Sequence, residues 1–186
     1  MKQAILLHGT GGSDTDYFWF EDTKKYLEEN GYKVWWPLMP HTERPTLQDS
    51  LDFLNENMPK LDQESIVIAH SSACPLALSL FETLQTPIEQ TILVSGYYVS
   101  IDDQGFSELM LQEDEYDWDV IKKVAGEIIV INSDNDPWGC NDKQAMPVAE
   151  QLGAKFILAE GQGHMGSTSW NQPYREFSIL KNLLKL

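Results

Sequence analysis

Cysteine is nearly missing from this sequence: Cys74 and Cys140 are the only two in 186 residues. That is too few for a disulfide framework, and they lack the paired spacing of a zinc site, so both are expected to be reduced thiols. Basic residues are scarce as well, with 13 Lys and Arg against 29 Asp and Glu, for a formal charge of −16. From Asp102 to Asp119 there are eight acidic residues and no lysine or arginine. Such a surface repels phosphate backbones and anionic membranes, which removes nucleic acid and membrane from the expected partners. The acidic stretch itself reads as a solvated face. No apolar run has the length of a membrane span, and the opening "MKQAILLHGTGG" is too short in apolar residues for a secretory leader. A cytoplasmic location is the expectation. Internal repeats and low-complexity tracts are absent too.

What is present is ordinary for a folded protein, 42% hydrophobic and 23% charged, in a chain that fits one domain over residues 1–186. Short apolar runs alternate with amphipathic stretches. The runs "QAILLH", "KVWW", "SIVIA", "QTILVS", "EIIVIN" and "AKFILA" are expected strands, several of them continuously apolar as strands covered on both faces should be. Helices are expected from Phe18 to Asn30, after the cap Thr46, over Ser72–Leu84, about Lys143–Leu152 and Tyr174–Leu184, with a short one at "DWDVIKK". The fold class is α/β: a single-domain three-layer α/β/α sandwich on a mostly parallel six-stranded sheet. The segment Ile101 to Ala125 is the least regular and reads as an excursion over the loop edge of that sheet.

In open parallel sheets, ligands bind beyond the carboxyl ends of the strands, and four of those ends carry unusual chemistry. The third strand runs into Ala69-His70-Ser71-Ser72-Ala73, the frame of a nucleophile elbow in which a serine stands on a tight strand-to-helix turn. Positions two before and two after the apex need small residues. That frame selects Ser71, since Ser72 would be flanked by His70 and Cys74. A serine hydroxyl needs a base, and the base needs a group that orients it. His164, in the glycine-flanked loop "EGQGHMGS", is the best base. His8 is expected to support the glycine loop beside it, His41 lies in a surface turn and His70 belongs to the elbow. The turn "INSDNDPW" offers Asp134 and Asp136; Asp136, held before a proline, is the choice. The order Ser71, Asp136, His164 is that of the hydrolases built on such an elbow.

After the first strand, "HGTGG" supplies backbone N–H groups for an oxyanion hole, with Thr10 the expected donor alongside the amide of Ser72. A dinucleotide fingerprint starting at Gly9 would place its third glycine on Asp14, and no Gly-Lys-Ser/Thr follows, so phosphate binding is the weaker use of this loop.

Together "HGTGG", "AHSSAC", "SDNDPW" and "GQGHMG" resemble the small serine hydrolases of the retinoblastoma-binding protein nine and YdeN type, a lidless branch of the α/β-hydrolase superfamily. The likeness covers nearly the whole chain. That family has glycine where this chain has Ala69 and Ala73. The resemblance implies a six-stranded parallel sheet without an antiparallel leading hairpin, and a catalytic aspartate immediately before the proline, which again selects Asp136. The expected reaction is cleavage of a small or short-chain ester, or less readily an amide, through an acyl-enzyme, without cofactor or metal. Tyr17, Trp19, Tyr97 and Trp138 are the expected acyl-pocket aromatics, around a shallow site. No protein partner is indicated. The rival reading is a non-catalytic protein-interaction module that keeps the scaffold, and the two elbow alanines are its only support.

Overall fold

Burial is continuous along the inner strands, so both faces of the sheet must be covered, and the computed structural model, which describes residues 2–186, covers both with helices. The elements in chain order are β1 (Gln3–Leu7), α1 (Phe20–Glu29), β2 (Lys33–Trp35), α2 (Leu47–Asn57), β3 (Ser65–His70) and α3 (Ala73–Thr83). There follow β4 (Gln90–Val94), a 3-10 turn at Ser107–Met110, α4 (Trp118–Val124), β5 (Glu127–Asn132), α5 (Asp142–Leu152), β6 (Lys155–Leu158) and α6 (Ser178–Leu183). The sheet has six strands in the order β2-β1-β3-β4-β5-β6, and every pairing is parallel.

Strand periodicity sorts the core into two layers. Ile5, Leu7, Val67, Ala69, Leu93, Ile128 and Val130 face α2, α3, α4 and α5. Their neighbours Leu6, Ile66, Ile68, Ile92, Val94, Ile129 and Ile131 face α1 and α6, with Trp19 and Phe20 filling the gap. The central strands β3 and β4 are buried at every position. At the start of α2 the Thr46 hydroxyl accepts from the Asp49 amide and donates to the Asp49 carboxylate, closing that helix end as its sequence predicts.

One expectation needs correction. The last helix begins at Ser178 rather than Tyr174. Tyr174 holds φ 39°, and Phe177 leaves the helical path to pack its ring against Trp19. The preceding Gln172 is drawn away by mutual backbone hydrogen bonds with Ser167, so the apolar rhythm of "YREFSILKNLL" is only partly helical. The excursion between β4 and α4 lies over the loop edge of the sheet, where the carboxylate of Asp102 accepts the amides of Gln104, Phe106 and Ser107. The Ser107 side chain first, then these amides, hold the Asp102 carboxyl down at about 2, well below the usual carboxylate range. Among the described residues no helix is long and apolar enough to cross a membrane.

Candidate active site

β3 passes directly into α3, and the junction is sharp because Ser71 adopts φ 58°. Its amide still donates to Val94 of the neighbouring strand at 2.9 Å while its carbonyl already accepts from Cys74 at 2.9 Å. One residue thus ends a strand and begins a helix, a left-handed conformation that costs a non-glycine residue on the order of 1 kcal/mol. Ala69 and Ala73 flank it, both buried, and their methyl groups are accommodated. Across the turn, Gly9 approaches so closely that a Cβ there would lie 2.7 Å from the Ser71 Cβ. Gly12 is set against His8 in the same way, at 2.0 Å from its Nδ1.

His164 reaches over the elbow from the loop after β6. Its Nε2 lies 3.0 Å from the Ser71 hydroxyl and its Nδ1 2.7 Å from the Asp136 carboxylate. Asp136 is fixed from its other oxygen by the Trp138 amide at 2.8 Å, and its side chain is fully buried. Because the carboxylate oxygen accepts, Nδ1 carries the proton and Nε2 presents a lone pair to Ser71. A neutral imidazole so oriented can take the hydroxyl proton.

The histidine loop is held by Asp134, the acid passed over as the orienting carboxylate, and by three side chains that the sequence reading did not single out. Four consecutive amides are capped: Gly161 by Asp134 at 2.8 Å, Gln162 by the Ser133 hydroxyl at 3.0 Å, Gly163 by Asn135 at 2.8 Å and His164 by Gln172 at 2.9 Å. The turn that carries Asp136 therefore also grips the loop that carries His164. The bond from Gly161 keeps the Asp134 carboxyl below its ordinary range. Asn132, at the end of β5, ties this turn to β4 through the Gly96 amide and carbonyl and also donates to the carbonyls of Cys140 and Asn141.

His70 works from beneath. Its Nε2 donates to the carbonyl of His164 at 2.9 Å, as does the Ser95 hydroxyl at 3.0 Å. The His70 Nδ1 is then an acceptor, 3.4 Å from the Tyr17 hydroxyl. Burial pushes His70 down to about 3, so the ring is neutral at pH 7. His8 supports the glycine loop, its Nε2 accepting from the Met39 amide and its Nδ1 donating to the Gly9 carbonyl. Burial lowers its basicity too.

Thr10 and Ser72 also meet, though not as expected. The Thr10 amide donates to the Ser72 hydroxyl oxygen at 2.9 Å rather than standing open to the cavity. The Ser72 amide, at the start of α3, has no hydrogen-bond partner among the described residues.

The cavity over Ser71 has a volume of about 600 Å³, within the range of small-molecule sites. Ile101 to Leu109 form one wall of it. Tyr17, Tyr97 and Trp138 line it, as do Phe18 and Phe106, which the sequence reading passed over. Trp19 does not line it and is corrected to a core residue. Its ring is wholly buried, and its indole N–H donates to the Met165 carbonyl at 2.8 Å, steadying the histidine loop from behind.

One trio of ligand-type side chains, Asp136, Cys140 and His164, is buried with donor atoms within 4.8 Å of one another. The Cys140 thiol is pushed up by burial and by the Asp136 charge, which keeps it protonated and makes it a poor metal ligand as it stands. Cys74 is likewise buried and raised.

The chain has relatives. Residues 4–182 match the family model described as serine hydrolase. The rat serine hydrolase RBBP9 is 27% identical over 98% of this chain and 95% of its own length. Bacillus subtilis YdeN is 30% identical over 88% of this chain and 85% of its own. The YdeN crystal structure superposes with a TM-score of 0.89, covering 98% of this chain and 96% of that one. The chain is an enzyme and belongs to the serine hydrolase family.

Proposed function

We propose that this enzyme cleaves a small or short-chain carboxylic ester, and more slowly an amide, through an acyl-enzyme on Ser71. The unbroken line from the Asp136 carboxylate through His164 to the Ser71 hydroxyl, at 2.7 and 3.0 Å, carries this reading. His164 takes the Ser71 proton as Oγ attacks the ester carbonyl. Asp136 keeps the ring in the tautomer that can accept that proton and stabilises the imidazolium that forms. The carbonyl oxygen, now negative, sits against the Ser72 amide at the start of α3, where the helix dipole favours negative charge. His164 then gives its proton to the leaving alkoxide. In the second half it removes a proton from water, which attacks the acyl carbon, and Ser71 recovers its hydrogen as the free acid departs.

The size of the cavity and the aromatic faces of Tyr17, Tyr97 and Trp138 support a small molecule with an apolar acyl group. The test is labelling by a fluorophosphonate probe together with turnover of a p-nitrophenyl ester series of rising acyl length. Labelling of the wild type, none of Ser71→Ala, and fastest turnover of short acyl chains are expected. No labelling and no turnover of any ester or amide would leave a binding role on a hydrolase scaffold as the better account.

A further inference from the structure

The oxyanion site raises a question that its backbone amides do not answer. The Thr10 amide, which the glycine loop would offer to a developing oxyanion, already donates to Ser72 Oγ. The loop is not free to turn that amide elsewhere. Gly11 donates to Thr42 at 2.7 Å, Gly12 to Gly9 at 3.1 Å, Gly9 is pressed against Ser71, and Gly12 against the His8 ring. One backbone donor, that of Ser72, is then left for a charge that hydrolases of this kind meet with at least two.

Counting protons supplies the second. Thr10 Oγ1 and Ser72 Oγ are 2.9 Å apart, and both residues line the cavity. The two hydroxyls own two protons, and their mutual bond uses one. If Thr10 donates, Ser72 Oγ accepts twice, from the amide and the hydroxyl of Thr10, which fills its two lone pairs and leaves its own O–H for the cavity. If Ser72 donates, the free proton is that of Thr10 Oγ1, and the Ser72 oxygen beside the elbow keeps an unfilled lone pair, which repels an approaching carbonyl oxygen. A bound oxyanion selects the first arrangement, and two donors into one hydroxyl strengthen the bond that hydroxyl donates.

We infer that the Ser72 side-chain hydroxyl, backed by the amide and hydroxyl of Thr10, is a direct oxyanion donor beside the Ser72 amide; this rests on the acyl-enzyme reading above. Ser72 is then a catalytic residue through its side chain as well as its backbone, and Thr10 a positioning residue.

Ser72→Ala separates this from a hole made of two amides, because it keeps the amide at position 72 and releases that of Thr10. If the amides suffice, the variant equals or exceeds the wild type. On the present inference, kcat for p-nitrophenyl acetate falls about tenfold or more, the direction expected for losing an oxyanion donor, with KM changed less than about twofold. Affinity for a trifluoromethyl ketone, which adds to Ser71 as an oxyanion adduct, should weaken in parallel with kcat. Ser72→Cys fills the same space with a poor donor and should show the same loss. Thr10→Val keeps the amide and should cost less than either. Full kcat in Ser72→Ala or in Ser72→Cys, or a greater loss in Thr10→Val, overturns the inference. Failure of the parent reading would look different, with turnover that survives Ser71→Ala whatever happens at position 72.

Discussion

Replacing Asp136 by asparagine removes one negative charge and almost no volume, yet it should nearly silence the enzyme. Asp136 accepts two hydrogen bonds, from the Trp138 amide at 2.8 Å and from His164 Nδ1 at 2.7 Å. In Asp136→Asn the side-chain oxygen has to stay with the Trp138 N–H, since an NH2 group there would meet another donor. The NH2 then faces His164 and can be satisfied only if Nδ1 becomes an acceptor, which moves the ring proton to Nε2 and points it at the Ser71 hydroxyl. The base loses the lone pair it needs. The expected drop in kcat is on the order of 10⁴-fold, the size a wrong-tautomer histidine costs in a Ser-His-Asp hydrolase, or about 5 kcal/mol of barrier. Asp134→Asn is the internal control, because an amide oxygen can still accept from Gly161. That exposed change should stay within about threefold of wild type. Both variants are measured by hydrolysis of p-nitrophenyl acetate, with Ser71→Ala as background and thermal melts to show that each is folded. A folded Asp136→Asn within tenfold of wild type, or a larger loss in Asp134→Asn, would refute the reasoning.

Gly9→Ala should abolish turnover and lower stability by about 1–3 kcal/mol, as overpacking does, since its methyl group would lie 2.7 Å from Ser71 Cβ and 3.0 Å from the His70 carbonyl; calorimetry with an ester assay checks both. Trp19→Phe leaves the Met165 carbonyl without its indole donor, so urea unfolding should report a loss of about 1–3 kcal/mol with KM unchanged; a KM effect without loss of stability would return Trp19 to the pocket wall. His70 sits at about 3 in the folded chain against an ordinary 6.5, so its contribution is complete above pH 6.5 and is lost as pH falls toward 3, where the unfolded chain binds the proton first. His8 is lowered as well and acts in the same direction. Urea midpoints should therefore decline from pH 7 to pH 4.5, and His70→Gln should flatten that decline; midpoints that rise on acidification would contradict it.

The sheet was legible because each strand carries its signal locally. Runs such as "SIVIA" and "EIIVIN" are apolar on both faces, and all six expected runs became parallel strands. The elbow was legible for the same reason, since its five positions are contiguous. What escaped were residues whose partners lie far away in the chain. Asn135 and Gln172 cap amides 28 and 8 residues distant, and Ser95 reaches 69 residues to the His164 carbonyl; no local pattern marks an amide or hydroxyl for such a task. Trp19 was misassigned because an aromatic beside a glycine loop looks alike in sequence whether it faces a cavity or the core. Only the closure of α6 and Phe177 over it decides the matter. The overlong final helix came from reading rhythm alone, without the Ser167–Gln172 pairing that diverts the chain.

The anchoring of the cavity's two halves differs in kind. Serine, aspartate and histidine hang from strand tips cross-braced to one another, whereas the Ile101–Leu109 wall is held by Asp102 on three of its amides, by the Ser107 hydroxyl on the Ile101 amide and by the Tyr97 hydroxyl on the Ser107 carbonyl, and takes little part in that bracing. On the proposed function, reactivity and selectivity are thus carried by separable modules. Exchanging the wall for one of another shape changes which molecules are admitted while the bond-breaking apparatus stays in register, so a scaffold this small has room to diversify its clients without rebuilding its engine.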